Sequence, residues 1–329
     1  MAERTRFAVI QDSTSRAMKM VPCERCRTPN FIPANLGAFK TAACQNCGHK
    51  VMTPVRLQQF ELRSVIGEGG MATVFRAFDT VLERDVAVKM LQPEIAADAA
   101  NLENFYREAR YQACLNHTNI VQIYNYGEIQ GYKYLVMEVA DQGSLDDRIE
   151  DQGKVEELYV LDVGIKISAA LELVRQKKLI HLDIKPGNIL YNRDNEPKLT
   201  DFGIAKRIDA KRDTEEGILG TPYYIAPERV ELQMQDFRSD MYSLAATLYH
   251  AMVGRVPYDA DSVEDTAWAH VHNTLTPPRK IDANISKETE AVVMRAMEKK
   301  PDNRYTSYAD FAMALESARS HLLVKKFGR

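Results

Sequence analysis

A cluster of glycines between two segments of alternating apolar and polar residues most constrains how this chain folds. The cluster is Gly67, Gly69 and Gly70, and the alternation begins at Phe60. It predicts two strands, because successive side chains of a strand point to opposite faces. A glycine loop between strands lets backbone N–H groups approach phosphates closely. The sequence therefore predicts a phosphate-binding hairpin that starts near residue 60.

Motifs suited to phosphate chemistry follow the glycine loop in a fixed order. A strand-like segment ends at Lys89, and a helical segment carries Glu108. Three motifs come next, which are His181-Leu-Asp-Ile-Lys-Pro-Gly-Asn-Ile-Leu, Asp201-Phe-Gly and Ala226-Pro-Glu. Together they resemble the protein kinase family, in particular the bacterial serine/threonine kinases of eukaryotic type.

The resemblance covers residues 60 to about 320 and implies a fold class. We expect an α+β, two-lobed protein kinase fold with a β-rich N-lobe and a helical C-lobe, preceded by a small zinc ribbon. The resemblance places the N-lobe at 60–137, the hinge at 138–141 and the C-lobe at 142–320.

The resemblance also implies catalytic roles. Asp183 is expected to orient the substrate hydroxyl and accept its proton, and Lys185 to neutralise the γ-phosphate. Lys89 is expected to contact the ATP phosphates and to form an ion pair with Glu108. Lys185 and the segment from Gly220 to Glu228 favour Ser/Thr over Tyr substrates. The expected ligands of Mg²⁺ (or Mn²⁺) are Asn188 and Asp201.

Nucleotide binding is expected at the glycine loop and at apolar residues around the adenine. Met137 falls at the gatekeeper position, and the residues after it would hydrogen-bond the adenine. The ATP-binding residues that the resemblance implies are Gly67, Gly69, Gly70, Val74, Ala87, Lys89, Glu138, Ala140 and Leu190.

Two further matches to the family are expected to be structural. The Glu228 carboxylate should form a buried ion pair with Arg304, and Asp240 should bond the backbone of the catalytic loop. Thr221 is expected to bond both Asp183 and Lys185.

The sequence departs from the family pattern at several positions. Leu182 stands where the family has an arginine that binds a phosphate on the activation segment. We therefore expect catalysis that does not require phosphorylation of Thr214, which acidic residues surround. Ala72 replaces the third glycine of the loop. Gln112 replaces an apolar or small residue and is expected to loosen the Glu108 helix.

Four cysteines near the start of the chain form two Cys-x-x-Cys pairs. The pairs are Cys23 with Cys26 and Cys44 with Cys47, and 17 residues separate them. This spacing is typical of a Zn²⁺ site with four cysteine ligands, which is closed and structural. Two disulfides are the alternative, although a reducing compartment disfavours them. The segment 20–55 therefore resembles a zinc ribbon.

Charge is uneven along the chain. The formal net charge is −3, whereas residues 1–56 hold nine Lys or Arg against three acids. The chain as a whole is therefore not a general nucleic-acid binder. A protein or nucleic-acid partner stays open for the basic zinc ribbon and the tail at 1–19 before it. The fifth cysteine, Cys114, is expected to be a small buried side chain.

No stretch of the sequence approaches the ~18 to 20 apolar residues of a membrane helix. The apolar run at 7–10 is also too short for a secretory signal. We therefore expect a cytoplasmic protein with no membrane partner. The sequence does not determine its oligomeric state.

Two functions of different classes remain open. The first is an active kinase that transfers the γ-phosphate of ATP to Ser or Thr of protein substrates, itself included. The second is a pseudokinase that uses the kinase fold and the zinc ribbon to recruit partners. The complete set of catalytic residue types favours the first. A kinase that responds to nucleic acid is a third hypothesis, which rests on the basic segment alone.

Overall fold

The computed structural model describes residues 9–10, 18–34, 36, 39–69, 72–129, 131–207 and 221–328. Gly70, Thr214 and most of the predicted tail at 1–19 lie outside the described residues. The chain divides into two compact units, one of residues 1–105 and 123–139, the other of residues 106–122 and 140–329. The predicted α+β fold class, with a β-sheet N-lobe and a helical C-lobe, is confirmed.

The first unit is built on an antiparallel sheet. Two short helical segments accompany it, α1 (Pro93–Ala96) and α2 (Ala99–Ala113), the second of which continues into the other unit. The strands of this unit are β1 (Val9–Ile10), β2 (Met18–Pro22), β3 (Pro29–Pro33), β4 (Ala42–Ala43), β5 (Lys50–Leu57), β6 (Phe60–Glu68), β7 (Ala72–Asp79), β8 (Arg84–Leu91), β9 (Ile123–Ile129) and β10 (Tyr132–Met137). Within the described residues the main sheet has the order β4-β5-β6-β7-β8-β10-β9, and β1, β2 and β3 form a separate sheet.

Strand β5 joins the cysteine segment to the sheet of the kinase. It begins three residues after Cys47 and pairs with β6 along its length, with a bulge between Val51 and Val55. Met52 and Leu57 on this strand are buried in the same core as Phe75 and Val88 of the neighbouring strands. The cysteine segment and the sheet therefore share strands and core inside one unit.

Helices make up most of the second unit, and their apolar faces pack into one core. The elements of this unit are α3 (Leu145–Gln152), α4 (Glu157–Gln176), β11 (Leu179–Ile180), β12 (Ile189–Tyr191), β13 (Pro197–Leu199), β14 (Lys206–Arg207), α5 (Pro227–Val230), α6 (Phe237–Val253), α7 (Val263–His272), α8 (Pro278–Ile281), α9 (Lys287–Ala296) and α10 (Tyr308–Phe327).

Helix α6 is the centre of this core, with most of its residues buried. The Asp236 side chain caps its first turn, and Gly254 ends it in the left-handed conformation (φ 74°). A Cβ atom at Gly254 would lie 2.1 Å from the Gly153 carbonyl oxygen, so only glycine fits there. This close approach fixes the end of α6 against the end of α3.

The prediction for Cys114 is wrong. Its thiol is exposed and bonds the Tyr111 carbonyl oxygen at 3.0 Å, because Cys114 lies just past the end of α2. Leu115 enters the core instead and is fully buried.

A buried histidine in α7 makes the second unit sensitive to acid. His270 is fully buried, and its Nδ1 atom lies 2.9 Å from the Tyr242 hydroxyl. Its Nε2 atom has no hydrogen-bond partner among the described residues. Burial, reinforced by the positive charge of Lys299, lowers the pKa of His270 to about 3. The folded protein therefore keeps this ring neutral over the range in which an unfolded chain protonates it.

We predict that stability falls as pH decreases below about 6.5. The unfolded state takes up a proton near that pH and the folded state does not, which costs about 1.4 kcal/mol per pH unit. Urea unfolding at pH 7.5 and pH 5 should show a smaller pH dependence for His270→Gln than for the wild type. His272→Gln, at an exposed position of the same helix, is the control and should keep the wild-type dependence. If the free energy of unfolding depends equally on pH in the wild type and in His270→Gln, the role assigned to His270 is contradicted.

Candidate active site

One face of the sheet in the first unit carries the predicted nucleotide-binding side chains. Val74 pairs with Lys89 across β7 and β8, and Gly67 of β6 pairs with Val74 on the other side. Ala87 pairs with Met137 of β10. Directly paired residues share a face of an antiparallel sheet, so Val74, Ala87 and Lys89 lie on the face opposite the buried core.

The glycine loop closes the hairpin between β6 and β7. The Gly69 N–H donates to the Ala72 carbonyl oxygen at 2.9 Å, which draws the two strands together. A Cβ atom at Gly67 would lie 3.7 Å from the Val74 Cβ atom, which is an ordinary van der Waals contact. The predicted hinge residue Glu138 follows β10 directly and is half-buried.

The loop between β11 and β12 brings three predicted residues of the second unit together. The Lys185 ammonium lies 2.9 Å from the Asp183 Oδ2 atom. The Asn188 amide group donates to the same oxygen at 2.9 Å and to the Asp183 carbonyl oxygen at 2.8 Å. The side-chain nitrogen of Asn188 is therefore used in both bonds. Leu190, the predicted adenine contact, follows in β12 and is half-buried.

Buried groups hold this loop from behind. Asp240 of α6 accepts the backbone N–H groups of His181 at 2.7 Å and Leu182 at 2.8 Å, as the family resemblance predicts. Burial raises the pKa of Asp240, and the two N–H groups oppose that rise. The His181 ring is buried, bonds the Thr200 carbonyl oxygen and packs 4.5 Å from the Phe202 ring.

Arg229 contacts the loop at Leu182, the residue that stands where the family has an arginine. Leu182 is buried and has a positive φ of 67°. Arg229, in α5, donates to the Leu182 carbonyl oxygen at 2.5 Å, and its charge lowers the pKa of Asp240. A cation therefore still lies beside the catalytic loop, although it is bonded to the backbone and comes from another element. In the sequence, the one signal for this cation is that an arginine directly follows the Ala226-Pro-Glu motif.

The Asp201-Phe-Gly segment lies beside Glu108 within the second unit. Asp201 has a left-handed backbone (φ 64°), and its Oδ1 atom accepts the Gly203 N–H at 3.3 Å. A Cβ atom at Gly203 would be 3.1 Å from the Asp201 Oδ1 atom and 3.8 Å from the Glu108 Oε2 atom. Both carboxylates therefore converge on this glycine. Lys89 belongs to the first unit, so its ion pair with Glu108 stays a prediction.

Gln112 ties down the helix that carries Glu108. It is buried, and its side-chain amide donates to the Val121 carbonyl oxygen at 2.7 Å. The Val121 N–H in turn donates to the Leu199 carbonyl oxygen at 2.9 Å. The expectation that Gln112 loosens the helix is therefore wrong, because its amide bonds a buried carbonyl oxygen and an apolar side chain could not form that bond.

The other predicted contacts give one agreement and one difference. Arg304 and Glu228 form a fully buried bidentate pair, with N–O distances of 2.8 and 2.7 Å, which confirms the prediction. Thr221 makes no bond to Asp183 or Lys185 among the described residues. The Asp183 Oδ2 atom is instead paired with the Lys185 ammonium group and accepts a hydrogen bond from the Asn188 amide.

The four cysteines converge into one cluster in the first unit. Their sulfur atoms all lie within 4.8 Å of one another, with 3.7 Å between Cys23 and Cys47 and 3.6 Å between Cys26 and Cys44. A tetrahedral zinc site with bonds of about 2.3 Å separates its sulfurs by about 3.8 Å. All four are free thiols, so the arrangement fits a metal ion and not the two disulfides of the alternative.

The surroundings of the cluster act unequally on its thiols. A hydrogen bond from the His49 backbone lowers the pKa of Cys47, but burial and the neighbouring cysteines outweigh it and raise the pKa to about 12. Asn30, buried in β3, donates to the Cys44 sulfur at 3.4 Å and accepts the Gln45 N–H at 3.0 Å. Hydrogen bonds with Thr28 lower the pKa of Cys26 to about 5. Asn30 is not among the residues predicted from the sequence, where its one signal is a polar residue within a short apolar strand.

Both units together carry the parts that define a protein kinase, and sequence comparison agrees. The protein kinase domain family matches residues 60–319, so the chain belongs to the protein kinase family.

Individual relatives of the chain are named as serine/threonine-protein kinases. The chain is 34% identical over 264 residues to a probable serine/threonine-protein kinase of Clostridium acetobutylicum, covering 80% of this chain and 40% of that protein. It is 36% identical over 266 residues to the serine/threonine-protein kinase PknB of Mycolicibacterium smegmatis, covering 78% of this chain and 43% of PknB. It is also 36% identical over 277 residues to PknB of Mycobacterium tuberculosis, covering 82% and 44%. The chain thus spans about two fifths of the length of these relatives.

No helix in the described part of the chain is both long and apolar enough to cross a membrane.

We predict that Arg229 positions the catalytic loop. Arg229→Met should lower kcat about tenfold and leave the KM for ATP nearly unchanged, because a charged hydrogen bond to the loop backbone is lost. Arg229→Lys should recover part of the rate. Steady-state kinetics on a peptide substrate measures both constants. Arg255→Met, at an exposed position of the same unit, is the control. A wild-type kcat for Arg229→Met would contradict this role.

Proposed function

We propose that this protein is an active, ATP-dependent serine/threonine kinase that phosphorylates protein substrates and itself. The observation that carries the proposal is the arrangement of Asp183, Lys185 and Asn188. A carboxylate 14% exposed, an ammonium group 2.9 Å from it and an amide bonded to the same oxygen belong to one short loop. Phosphoryl transfer needs a positioned base and compensation of phosphate charge, and this loop offers both.

Each residue has a proposed role in the transfer. Asp183 orients the substrate hydroxyl and accepts its proton as the oxygen attacks the γ-phosphorus. Lys185 compensates the charge of the transferred group, and Lys89, paired with Glu108, compensates that of the α- and β-phosphates. Asn188 and Asp201 are proposed to hold Mg²⁺ (or Mn²⁺), which neutralises phosphate charge when bound.

Nucleotide binding is proposed for the predicted face of the sheet and the segments next to it. The loop at Gly67, Gly69 and Gly70 offers backbone N–H groups to the phosphates. Adenine recognition is proposed for Val74, Ala87, Glu138, Ala140 and Leu190. Val74, Ala87 and Lys89 share the face of the sheet opposite the side chains of the core, and this placement supports the proposal.

Serine/threonine specificity is proposed on two grounds. Lys185 follows Asp183 at the spacing of serine/threonine kinases. The curated relatives also carry serine/threonine-protein kinase in their names. The pseudokinase hypothesis is less favoured, because its usual cause, the loss of a catalytic side chain, does not apply to Lys89, Asp183 or Asp201.

We predict that Asp183→Asn abolishes phosphate transfer and leaves nucleotide binding nearly intact. It removes the proposed base, worth about 10²- to 10⁴-fold in rate, but no phosphate or metal ligand. Asp201→Asn should instead weaken the binding of Mg²⁺-ATP. Incorporation of labelled phosphate and calorimetric nucleotide binding measure the two effects. Asp194→Asn, on the exposed turn between β12 and β13, is the control. Near wild-type transfer by Asp183→Asn would refute the catalytic assignment.

We further propose that Cys23, Cys26, Cys44 and Cys47 bind one structural Zn²⁺ in a ribbon at about 20–55. Sulfur separations near those of a tetrahedral site support this proposal. The thiolates would hold the ion and close the two knuckles. A site of four cysteine thiolates suits a reducing compartment, and on that ground we propose a cytoplasmic protein.

We predict about one Zn²⁺ per chain in freshly purified, reduced protein. Cys26→Ser and Cys47→Ser should each release it, because the tetrahedral site needs all four thiolates. Cys114→Ser should retain it, since the exposed Cys114 lies outside the cluster. Metal analysis by mass spectrometry gives the stoichiometry. Protein without metal, or with disulfides between these cysteines, would remove the zinc proposal.

A further inference from the structure

We propose that the cysteine ribbon positions the glycine loop, so that metal occupancy of the four cysteines sets the nucleotide affinity of this kinase. The inference rests on the proposed zinc site and on the proposed phosphate-binding role of the loop. Three contacts within the first unit carry it.

The first contact joins the second knuckle to the loop itself. Lys50 is the first residue of β5 and follows Cys47 by three residues. Its ammonium group forms an ion pair with the carboxylate of Glu68, which stands between Gly67 and Gly69. The side chains are 47% and 43% exposed, so solvent screens the attraction. This contact therefore guides the loop weakly, and other contacts must add to it.

The second contact joins the first knuckle to the strand that enters the loop. Glu24 lies between Cys23 and Cys26, and its Oε2 atom accepts a hydrogen bond from the Ser64 hydroxyl at 2.6 Å. Ser64 is buried in β6, three residues before Gly67. A buried hydroxyl that loses its partner destabilises the strand that holds it. The position of β6 therefore depends on the fold of the first knuckle.

The third contact joins the segment between the knuckles to the strand that leaves the loop. The Phe39 ring packs 5.9 Å from the Phe75 ring of β7 and 5.0 Å from the Tyr132 ring of β10. Phe75 directly follows Val74, the proposed adenine contact. The ribbon thus contacts the loop and both strands that flank it.

The metal is what makes these contacts conditional. The small core of the ribbon consists of Val21, Ile32 and Val51 together with two of the cysteines, Cys23 and Cys44. A segment of this size cannot hold its fold by apolar burial alone. Loss of the metal would release Glu24 and Phe39, and the loop N–H groups would no longer be held in place before the phosphates arrive.

A ribbon that merely extends the sheet gives a different expectation. It would change the thermal stability of the unit but leave the nucleotide affinity unchanged. Variants that break one contact and keep all four cysteines separate these two cases. Lys50→Gln removes the ion pair, and Glu24→Ala removes the acceptor of the Ser64 bond. Lys40→Gln is the control, because Lys40 is an exposed cation of the same ribbon without an ion pair among the described residues.

The experiment uses the full, zinc-loaded chain. Zinc content, the Kd for Mg²⁺-ADP by calorimetry and amide hydrogen exchange over residues 60–75 are measured for each variant. Lys50→Gln should raise the Kd about threefold and Glu24→Ala about fivefold, with faster exchange in β6 and zinc still bound. Cys26→Ser should raise the Kd about tenfold or more. Lys40→Gln should stay within about twofold of the wild type.

The outcomes separate this inference from the proposals beneath it. An unchanged Kd and unchanged exchange in Lys50→Gln and Glu24→Ala, with zinc bound, overturn the inference and leave the zinc site and the kinase standing. Protein isolated without zinc overturns the zinc site and this inference together. A wild-type chain that binds no Mg²⁺-ADP overturns the kinase proposal. If Cys26→Ser fails to fold, the two contact variants decide alone, because they keep the ligands.

Discussion

The predicted catalytic loop, which begins at His181, depends on the carboxylate of Asp240. This group is buried in α6 and accepts two consecutive backbone N–H groups, those of His181 and Leu182. A buried carboxylate is costly unless it is fully bonded, so the loop and helix α6 stabilise each other in one arrangement. Asp183 directly follows these two residues, and its position is thereby fixed from the core outward.

The same logic places Arg229. The chain lacks the arginine that the family places before the catalytic aspartate, and Leu182 packs into the core there. Its carbonyl oxygen is bonded by Arg229 from α5, so a cation stabilises the loop through the backbone. A cation committed to the backbone is less free to bind an added phosphate. That catalysis does not require phosphorylation of Thr214 stays a prediction, because Thr214 lies outside the described residues.

The first unit shows a different kind of dependence. Its sheet continues from the hairpin of the glycine loop through β5 into the cysteine cluster, and the core residues Met52 and Leu57 come from the joining strand. The segment between the cluster and the kinase sheet is therefore not a flexible linker. A change in the ribbon is therefore transmitted to Gly67 and Gly69 through the backbone pairing of β5 with β6 as well as through side chains.

The sequence by itself determined the family and the fold class, and it predicted which residues carry the chemistry. Glycine, lysine, aspartate and cysteine have few substitutes for close phosphate approach, charge compensation, base catalysis and soft-metal binding, so their order and spacing carry the information. The family resemblance also predicted the Glu228–Arg304 pair, which the structure confirms as a buried bidentate contact.

Tertiary structure decided the contacts that depend on which surfaces meet. The sequence wrongly predicted that Gln112 loosens its helix, since only the fold brings the Val121 carbonyl oxygen within reach of its amide. Cys114 points to solvent because α2 ends one residue earlier, and helix ends are poorly specified by local pattern. Arg229, Asn30, and the Glu24 and Lys50 contacts stayed hidden for the same reason. Ordinary polar residues acquire a role only through distant partners, and only the folded chain brings those partners together.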